Sequence, residues 1–406
     1  MTQWNSKFYD FVRKFSHADT FKLRLSTKKD LYEFDVENAI LQIECRKKYA
    51  SKLKNYLKHS EFIFPDAISG EQASHRAVAK FHSSLVKPEA KILDITAGLG
   101  IDSLSFAEKG NEVTAIELSE TKAVALTHNS EILNLDNLKV INADSIEFLK
   151  NTDCHYNIIF ADPARRDNCN KRVYNLHDCL PDIIENQQLL AEKADRILIK
   201  TSPLLDITQT LRDLNNIKRI YAVGVKGECK ELLVEIENVK ENDTQNSIET
   251  IAVNLDNEGE ILSLYKDIAS SPSVEKEERN EISFASLEDL KPDVYILEPS
   301  AIVMKIAPWE AICRDFKAKK AGKSSHIFIS EKFPENFPGR VTKFQKLLTK
   351  QDRKSLSGFP ATVISRNYPL TADELRKKLR INEGDKNFIY ATRIGEKPLV
   401  WLSQNL

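Results

Sequence analysis

Strand-sized apolar runs alternating with helix-sized amphipathic segments predict an α/β protein built on a parallel, doubly wound sheet. A glycine turn joining the first strand to its helix, and acids ending the following strands, support the same class. The first strand is Lys91–Ile95, an apolar run of Ile92, Leu93 and Ile95. It enters the turn Thr96-Ala97-Gly98-Leu99-Gly100, and a helix opens at Ile101. Gly98 and Gly100 permit a tight turn and close approach of backbone to a ligand, and the helix start offers free N–H groups there. The second strand, Glu112–Glu117, ends in an acid, and Leu138–Asn142 is followed by Asp144. The fourth, Tyr156–Ala161, runs into Asp162-Pro163-Ala164-Arg165, and the fifth is Arg196–Lys200. Helical patterns cover 101–109, 119–134 and 177–193. Ligands of such sheets bind at the carboxyl ends of the strands, where these acids fall.

A dinucleotide fingerprint would place a third glycine at position 103, and Ser103 stands there instead. Together with the Asp162-Pro163-Ala164-Arg165 segment, this disfavours a nicotinamide dehydrogenase.

The ordered set resembles the class I methyltransferases that use S-adenosylmethionine. Asp94 to Gly100 is similar to their first motif, with Thr96 where glycine is commonest. The resemblance implies a Rossmann-like sheet with S-adenosylmethionine as cofactor. Asp94, Thr96, Ala97, Gly98, Gly100 and Asp102 would support its methionine end, Glu117 and Leu118 its ribose side, and Asp144 and Ser145 its adenine. Asp162, Pro163 and Arg165 stand where nucleic-acid methyltransferases carry their catalytic motif. The second proline and the aromatic residue of adenine-N6 enzymes are missing. The turn segment is also similar to that of ribosomal-RNA guanine-N2 methyltransferases, whereas Asp162-Pro-Ala-Arg-Arg166 does not match theirs. Across most of its length the chain resembles a methyltransferase family common in Bacteroidetes with a C-terminal THUMP-like domain. That similarity lies in Phe64-Pro65, Glu71-Gln72-Ala-Ser74, Asp162–Arg166, Glu228-Cys-Lys-Glu231 and Tyr368–Leu375. THUMP domains in other enzymes bind RNA.

A chain of 406 residues, 41% hydrophobic, can bury more than one core. The pattern of elements, taken with the resemblance, implies a helical region over 1–85, a methyltransferase domain with a hairpin extension over 86–272, a small ferredoxin-like connector over 273–320 and an α+β THUMP-like part over 321–406. Helices are expected over 35–57 and 71–85, and the first region would roof the site. Gln72 and Ser74 are read either as site residues or as capping and packing residues. Strands Lys218–Val225 and Glu231–Ile236 should close the sheet as a hairpin, with Glu228 and Lys230 at its turn. Asp-Asn-Glu-Gly between Thr250–Leu255 and Glu260–Tyr265 signals another hairpin, whereas 240–247 and 270–279 read as a polar excursion and a linker. A strand at 293–297 and a helix at 300–306 follow. In the last part, strands are expected near 325–329, 340–348, 361–366, 387–393 and 398–402. The helix 372–379 should carry a capping box of Thr371 and Glu374.

No apolar run approaches the roughly 20 residues of a membrane span, and the N-terminus lacks the apolar core of a signal peptide. The six cysteines show no CxxC, and His155 and His177 show no ligand spacing, so neither a metal site nor a disulfide framework is expected. Reduced thiols fit a cytoplasmic protein. Net charge is −1, yet residues 1–60 carry +6 and residues 314–380 carry +11, leaving −18 elsewhere. The basic ends suggest RNA as partner, and aromatics interleave with the second stretch: Phe316, Phe328, Phe333, Phe337, Phe344, Phe359 and Tyr368. A solvated basic face is the plain alternative, favoured for residues 1–60. The sequence leaves the oligomeric state open.

The reading is a methyltransferase that modifies RNA at a base, with Asp162 holding an exocyclic amine. Asp162 could instead cap a turn, and Arg165 and Arg166 could grip a phosphate or pair with acids. Cys169 or Cys179 could serve as the thiolate that pyrimidine C5 methylation requires, or be ordinary buried thiols. Rival functions are a methyltransferase for a small molecule or protein, and an RNA-binding factor that no longer turns over.

Overall fold

The computed structural model describes residues 4–165, 176–238, 247–270 and 282–406. The chain divides into two compact units: residues 1–226, 230–245 and 255–262, and residues 227–229, 246–254 and 263–406.

In the first unit, seven strands are β1 (Lys91–Asp94), β2 (Glu112–Glu117), β3 (Leu138–Asn142), β4 (Tyr156–Ala161), β5 (Ala194–Thr201), β6 (Ile217–Val225) and β7 (Glu228–Glu237). They lie in the order β3-β2-β1-β4-β5-β7-β6. β1 pairs in parallel with β2 and β4, β2 with β3, and β4 with β5. β7 is antiparallel to β5, so the expected hairpin closes this side. Both faces of the central strands are buried: Ile92, Leu93, Ile159, Phe160, Leu198 and Ile199 are all within 1% of full burial. The order reverses between β1 and β4, so the carboxyl ends of β1, β2 and β4 open onto one crevice.

The helices of this unit are α1 (Ser6–Lys14), α2 (Thr20–Ser26), α3 (Val36–Lys48), α4 (Ala67–Gln72), α5 (Arg76–Ser84), α6 (Ile101–Glu108), α7 (Glu120–Ile132), α8 (Ser145–Asn151), α9 (Gln187–Lys193) and α10 (Ile207–Asp213). The expected helix 35–57 ends at Lys48. Beyond it, the Arg46 guanidinium turns back to donate to the carbonyls of His59 (3.1 Å), Ser60 (2.7 Å) and Phe62 (2.7 Å). These contacts fold the following residues into turns. The expected helix 71–85 is two helices with a break at Ala73–His75, where His75 caps α5. The expected helix 177–193 is helical only in α9. Before it come a short 3₁₀ turn, Leu176–Asp178, and the strand Cys179–Leu180, which pairs with Ala164–Arg165. Pro181 cannot donate a helical hydrogen bond and ends any helix reaching it.

The extended segment Phe62–Phe64 runs between α3 and α7 and is held from both sides. Gln42 donates to the Phe64 carbonyl (2.9 Å) and accepts its N–H (2.8 Å). Asn129 does the same for Ile63, at 2.9 and 2.8 Å. Both amides are buried, so each copies the two bonds that a neighbouring strand would supply. Around them α1, α2 and α3 share one apolar cluster with Ala125 of α7.

Two further strands, β8 (Ser247–Leu255) and β9 (Ile261–Ser270), contain residues of both units. In the second unit the strands are β10 (Tyr295–Pro299), β11 (Ala318–Gly322), β12 (Ser325–Ser330), β13 (Gly339–Leu347), β14 (Thr362–Ser365), β15 (Asn387–Ile394) and β16 (Lys397–Asn405), in the order β11-β12-β10-β13-β16-β15-β14. Only β14 and β15 form a parallel pair among the registers described. One core gathers Ile296, Ile327, Phe344, Tyr390 and Trp401, and another lies under α14 (Ala372–Leu379) with Leu375 and Ile389. The capping box of Thr371 and Glu374 is present. Helices α11 (Ala301–Ile306), α12 (Trp309–Asp315) and α13 (Lys350–Ser355) complete the unit; the last two and β11 have no counterpart in the sequence reading. Of the seven interleaved aromatics, Phe328, Phe337 and Phe344 are buried core, and only Phe333 is exposed.

Among the described residues, no helix is long and apolar enough to cross a membrane, and no cluster of His, Cys, Asp and Glu could hold a metal.

Replacing Asn129 by Leu strips the Ile63 N–H and C=O of their partners. Buried unpaired groups cost about 1–3 kcal/mol each, so urea unfolding should show a loss of about 2–6 kcal/mol.

Candidate methyl-transfer site

The crevice holds a cavity of about 460 Å³, within the range of about 300–1,000 Å³ usual for small-molecule sites. Its wall is built from the β1–α6 turn, the ends of β2 and β4, the start of α8, and the α4–α5 break.

The turn is braced before any ligand arrives. Asp94, at the end of β1, accepts the Thr96 N–H (3.0 Å) and the Ser103 hydroxyl (2.5 Å). Ser103 thus has a definite role where a dinucleotide site would have glycine. Burial pushes the Asp94 carboxyl up to about 7, against the two hydrogen bonds. Gly98 and Gly100 have φ of +56° and +84°, a region costly for any residue with a Cβ. At Gly100 a Cβ would also sit 2.1 Å from Leu126 Cδ1.

Glu117 reaches across from β2: its Oε2 accepts the Gly98 N–H (2.7 Å) and its Oε1 the Ser119 N–H (2.8 Å). Each oxygen keeps acceptor capacity toward the cavity. Asp144 caps α8 through one oxygen, accepting from Ile146 (2.9 Å) and Glu147 (3.0 Å). Leu118, exposed, and Ser145 line the same end. Asp94, Thr96, Ala97, Gly98, Gly100, Asp102, Glu117, Leu118, Asp144, Ser145 and Asp162 therefore surround one space. Of the three residues read as catalytic, Asp162 lines the cavity and Pro163 follows it. Arg165 is placed only by its backbone in the short strand, and Arg166 and Cys169 lie outside the described residues. Cys179 is buried.

Behind the cavity lies a charge network. The Asp162 N–H donates to Thr96 Oγ1 (2.6 Å), and Asp162 Oδ2 receives Lys200 Nζ (2.5 Å). Lys200 also donates to Ser74 Oγ (3.1 Å), and Ser74 donates in turn to Asp102. Asp102 faces His82 Nδ1 at 2.8 Å, and His82 Nε2 faces Glu231 at 2.5 Å. His82 is fully buried. Burial opposes a charge on His82, but Glu231 and Asp102 outweigh it and push the imidazole up to about 10. Burial alone would raise Asp102, yet His82 and Lys200 hold it below the usual carboxylate range. The imidazolium donates from both ring nitrogens. Burial raises Asp162 on balance, against the attraction of Lys200. Sequence reasoning passed over His82 and Lys200. Their signals were faint: a histidine on the inner face of an amphipathic helix, and a lysine ending an otherwise apolar strand. Ser74 and Glu231 were visible only within the family pattern.

A glycine turn under one cavity end, acids at the ends of β2 and β3, and an acid at the end of β4 define a class I, S-adenosylmethionine-dependent methyltransferase. Residues 89–251 match the family model for RNA cap guanine-N2 methyltransferases, 295–338 that for a ferredoxin-like domain and 335–405 that for a THUMP domain-like family. A crystal structure from Porphyromonas gingivalis W83, provisionally described as a methyltransferase, is 25% identical. The match covers 98% of this chain and 97% of that one, with a TM-score of 0.84. An S-adenosylmethionine-dependent methyltransferase from Agrobacterium tumefaciens is 18% identical over 42% of this chain and 63% of its own, at a TM-score of 0.30. An Escherichia coli protein provisionally described as a methyltransferase is 22% identical over 40% of this chain and 85% of its own, also at 0.30. No curated protein matches the chain.

Two measurements test this site. Gly100→Ala introduces about 1–2 kcal/mol of backbone strain in addition to the Leu126 clash, so calorimetric titration should show cofactor Kd raised by about tenfold or more. The raised His82 value makes a stability contribution that is complete below the unfolded value of 6.5 and lost as pH rises through about 10. Urea midpoints should therefore fall between pH 7 and 10, and fall less steeply in His82→Gln.

Proposed function

We propose that this chain transfers the methyl group of S-adenosylmethionine to RNA. The observation that carries the reading is the bond from the Asp162 N–H to Thr96 Oγ1, which joins the acceptor-side acid directly to the cofactor turn. The donor set fits the cofactor. Gly98 and Gly100 leave the turn's backbone accessible, Glu117 offers acceptors for the ribose hydroxyls, and Asp144 has an oxygen free of its capping bonds for the adenine amine. When bound, the cofactor supplies a methyl group made electrophilic by its sulfonium. What the protein adds is alignment, which in good cases contributes on the order of 7–11 kcal/mol. Lys200 fixes the Asp162 carboxylate, and the free Oδ1 is left to hold a hydrogen of the acceptor. A base amine, as expected from the sequence, and a ribose hydroxyl both offer such a hydrogen.

RNA as substrate is supported by the description of the family model that matches residues 89–251, by the THUMP-like resemblance and by the +11 charge of residues 314–380. The test is transfer of labelled methyl to RNA from cells lacking the gene. Wild type should label RNA, and Asp162→Ala should do so about 10²–10⁴-fold more slowly with unchanged cofactor affinity. Cofactor binding without label in RNA would instead favour a small-molecule or protein substrate, or a non-catalytic RNA-binding role.

A further inference from the structure

Within the basic stretch 314–380, two arginines are held by one acid. Glu298 of β10 stands directly opposite Arg340 of β13 in the antiparallel register. Its Oε2 accepts from Arg340 Nη1 (2.9 Å), and its Oε1 accepts from Nη2 of Arg366, just beyond β14 (3.3 Å). The Glu298 side chain is 9% exposed, whereas those of Arg340 and Arg366 are 43% and 41% exposed. The acid is therefore buried beneath two guanidinium groups that stay open to solvent. Arg340 also lies over the Phe388 ring, 4.7 Å from its centroid, which further fixes its plane. The Arg366 Nε–H is buried without a partner, so protein acceptors do not fill its donor set.

Glu298, Arg340 and Arg366 line one cavity of about 550 Å³, whose lining residues all belong to the second unit. Met304 and Pro338 give it an apolar side. Ser300 adds a hydroxyl: its Oγ accepts the Val303 N–H (3.3 Å) and keeps its hydrogen to donate. Each guanidinium has five N–H groups, and Glu298 takes one from each. One arginine would neutralise Glu298. The second leaves the wall with a charge of +1, because Glu298 is the only acid among its described lining residues.

An anion fits this wall, and the planar fork of arginine matches the oxygens of a phosphate. A phosphodiester carries one negative charge, equal to the surplus. A terminal phosphate carries about −1.5 to −2 at neutral pH and would exceed it. The apolar side beside the charge suits the sugar or base that adjoins a diester. We propose that this cavity binds a backbone phosphate of RNA between Arg340 and Arg366. The proposal rests on the RNA reading above and adds a second place of contact, which shares no residue with the methyl-transfer cavity. Glu298 is a positioning residue: it orients both guanidinium groups and sets the surplus charge to that of a diester.

The experiment is binding of a short single-stranded oligoribonucleotide to the full chain, read by fluorescence anisotropy over a range of potassium chloride concentrations. Wild type should bind, with affinity falling as salt rises. Arg340→Gln and Arg366→Gln should each raise Kd about tenfold or more. Loss of one phosphate contact should flatten the slope of log affinity against log salt by about 0.7. Arg366→Lys keeps the charge but loses the fork, so it should recover the slope while its Kd stays raised. Urea midpoints matching wild type show that the variants fold. In the unaltered protein, RNA should protect Arg340 and Arg366 from phenylglyoxal, read by peptide mass, a result independent of any variant's folding. Adenosine monophosphate should compete only at far higher concentration. If it competes as well as the oligonucleotide, the ligand is a free nucleotide and the proposal falls. RNA affinity and salt slope unaltered in both glutamine variants, or both arginines left unprotected, overturn the proposal and leave the methylation of RNA standing. A chain that binds no RNA overturns both.

Discussion

The protonated His82 between Asp102 and Glu231 is the interaction on which the site depends. It ties α5 to α6 and to β7 through side chains that are largely buried. The acids facing its two ring nitrogens hold the charge on the buried imidazole. Through Asp102 the triad fixes Ser74, and through Ser74 it fixes Lys200 and the acid that faces the acceptor. Such a network is costly to bury unless every member is paired. Here the pairing extends from His82 and Glu231, which do not line the cavity, through Ser74 and Asp102, which do, to Lys200 and Asp162.

The acids around the cavity divide into two kinds. Asp94 and Asp102 spend their oxygens inside the protein, bracing the turn and the network. Glu117, Asp144 and Asp162 each use only part of their acceptor capacity on backbone or lysine partners. A motif that lists all five as one set therefore merges scaffold with contact surface. The distinction follows from the partners each oxygen already has inside the protein.

Much of the fold was legible in the sequence because its signals are local. Apolar runs of strand length, the glycine turn and the Thr371–Glu374 cap are read within a few residues. The errors arose where distant residues overrule local pattern. Arg46 folds the chain after Lys48 by collecting carbonyls, and Ser74 interrupts a helical pattern to reach an acid 28 positions on. Pro181 was a local warning that the reading of 177–193 passed over. The charge network was not legible, because residues 74, 82, 102, 162, 200 and 231 meet only when the sheet assembles. The aromatics of the last third could not be sorted for the same reason: side-chain exposure is decided by which strands pair.

The amide clamps on Phe62–Phe64 have a consequence for the order in which the chain matures. Gln42 lies before the segment it holds, whereas Asn129 lies 66 positions after its partner Ile63. During synthesis α1, α2 and α3 leave the ribosome well before α7. Their shared apolar face, and the backbone groups of Ile63, must wait for the first βα units of the sheet. Helices α1, α2 and α3 are thus made before the elements that complete their core, an interval in which a nascent chain depends on protection from its neighbours.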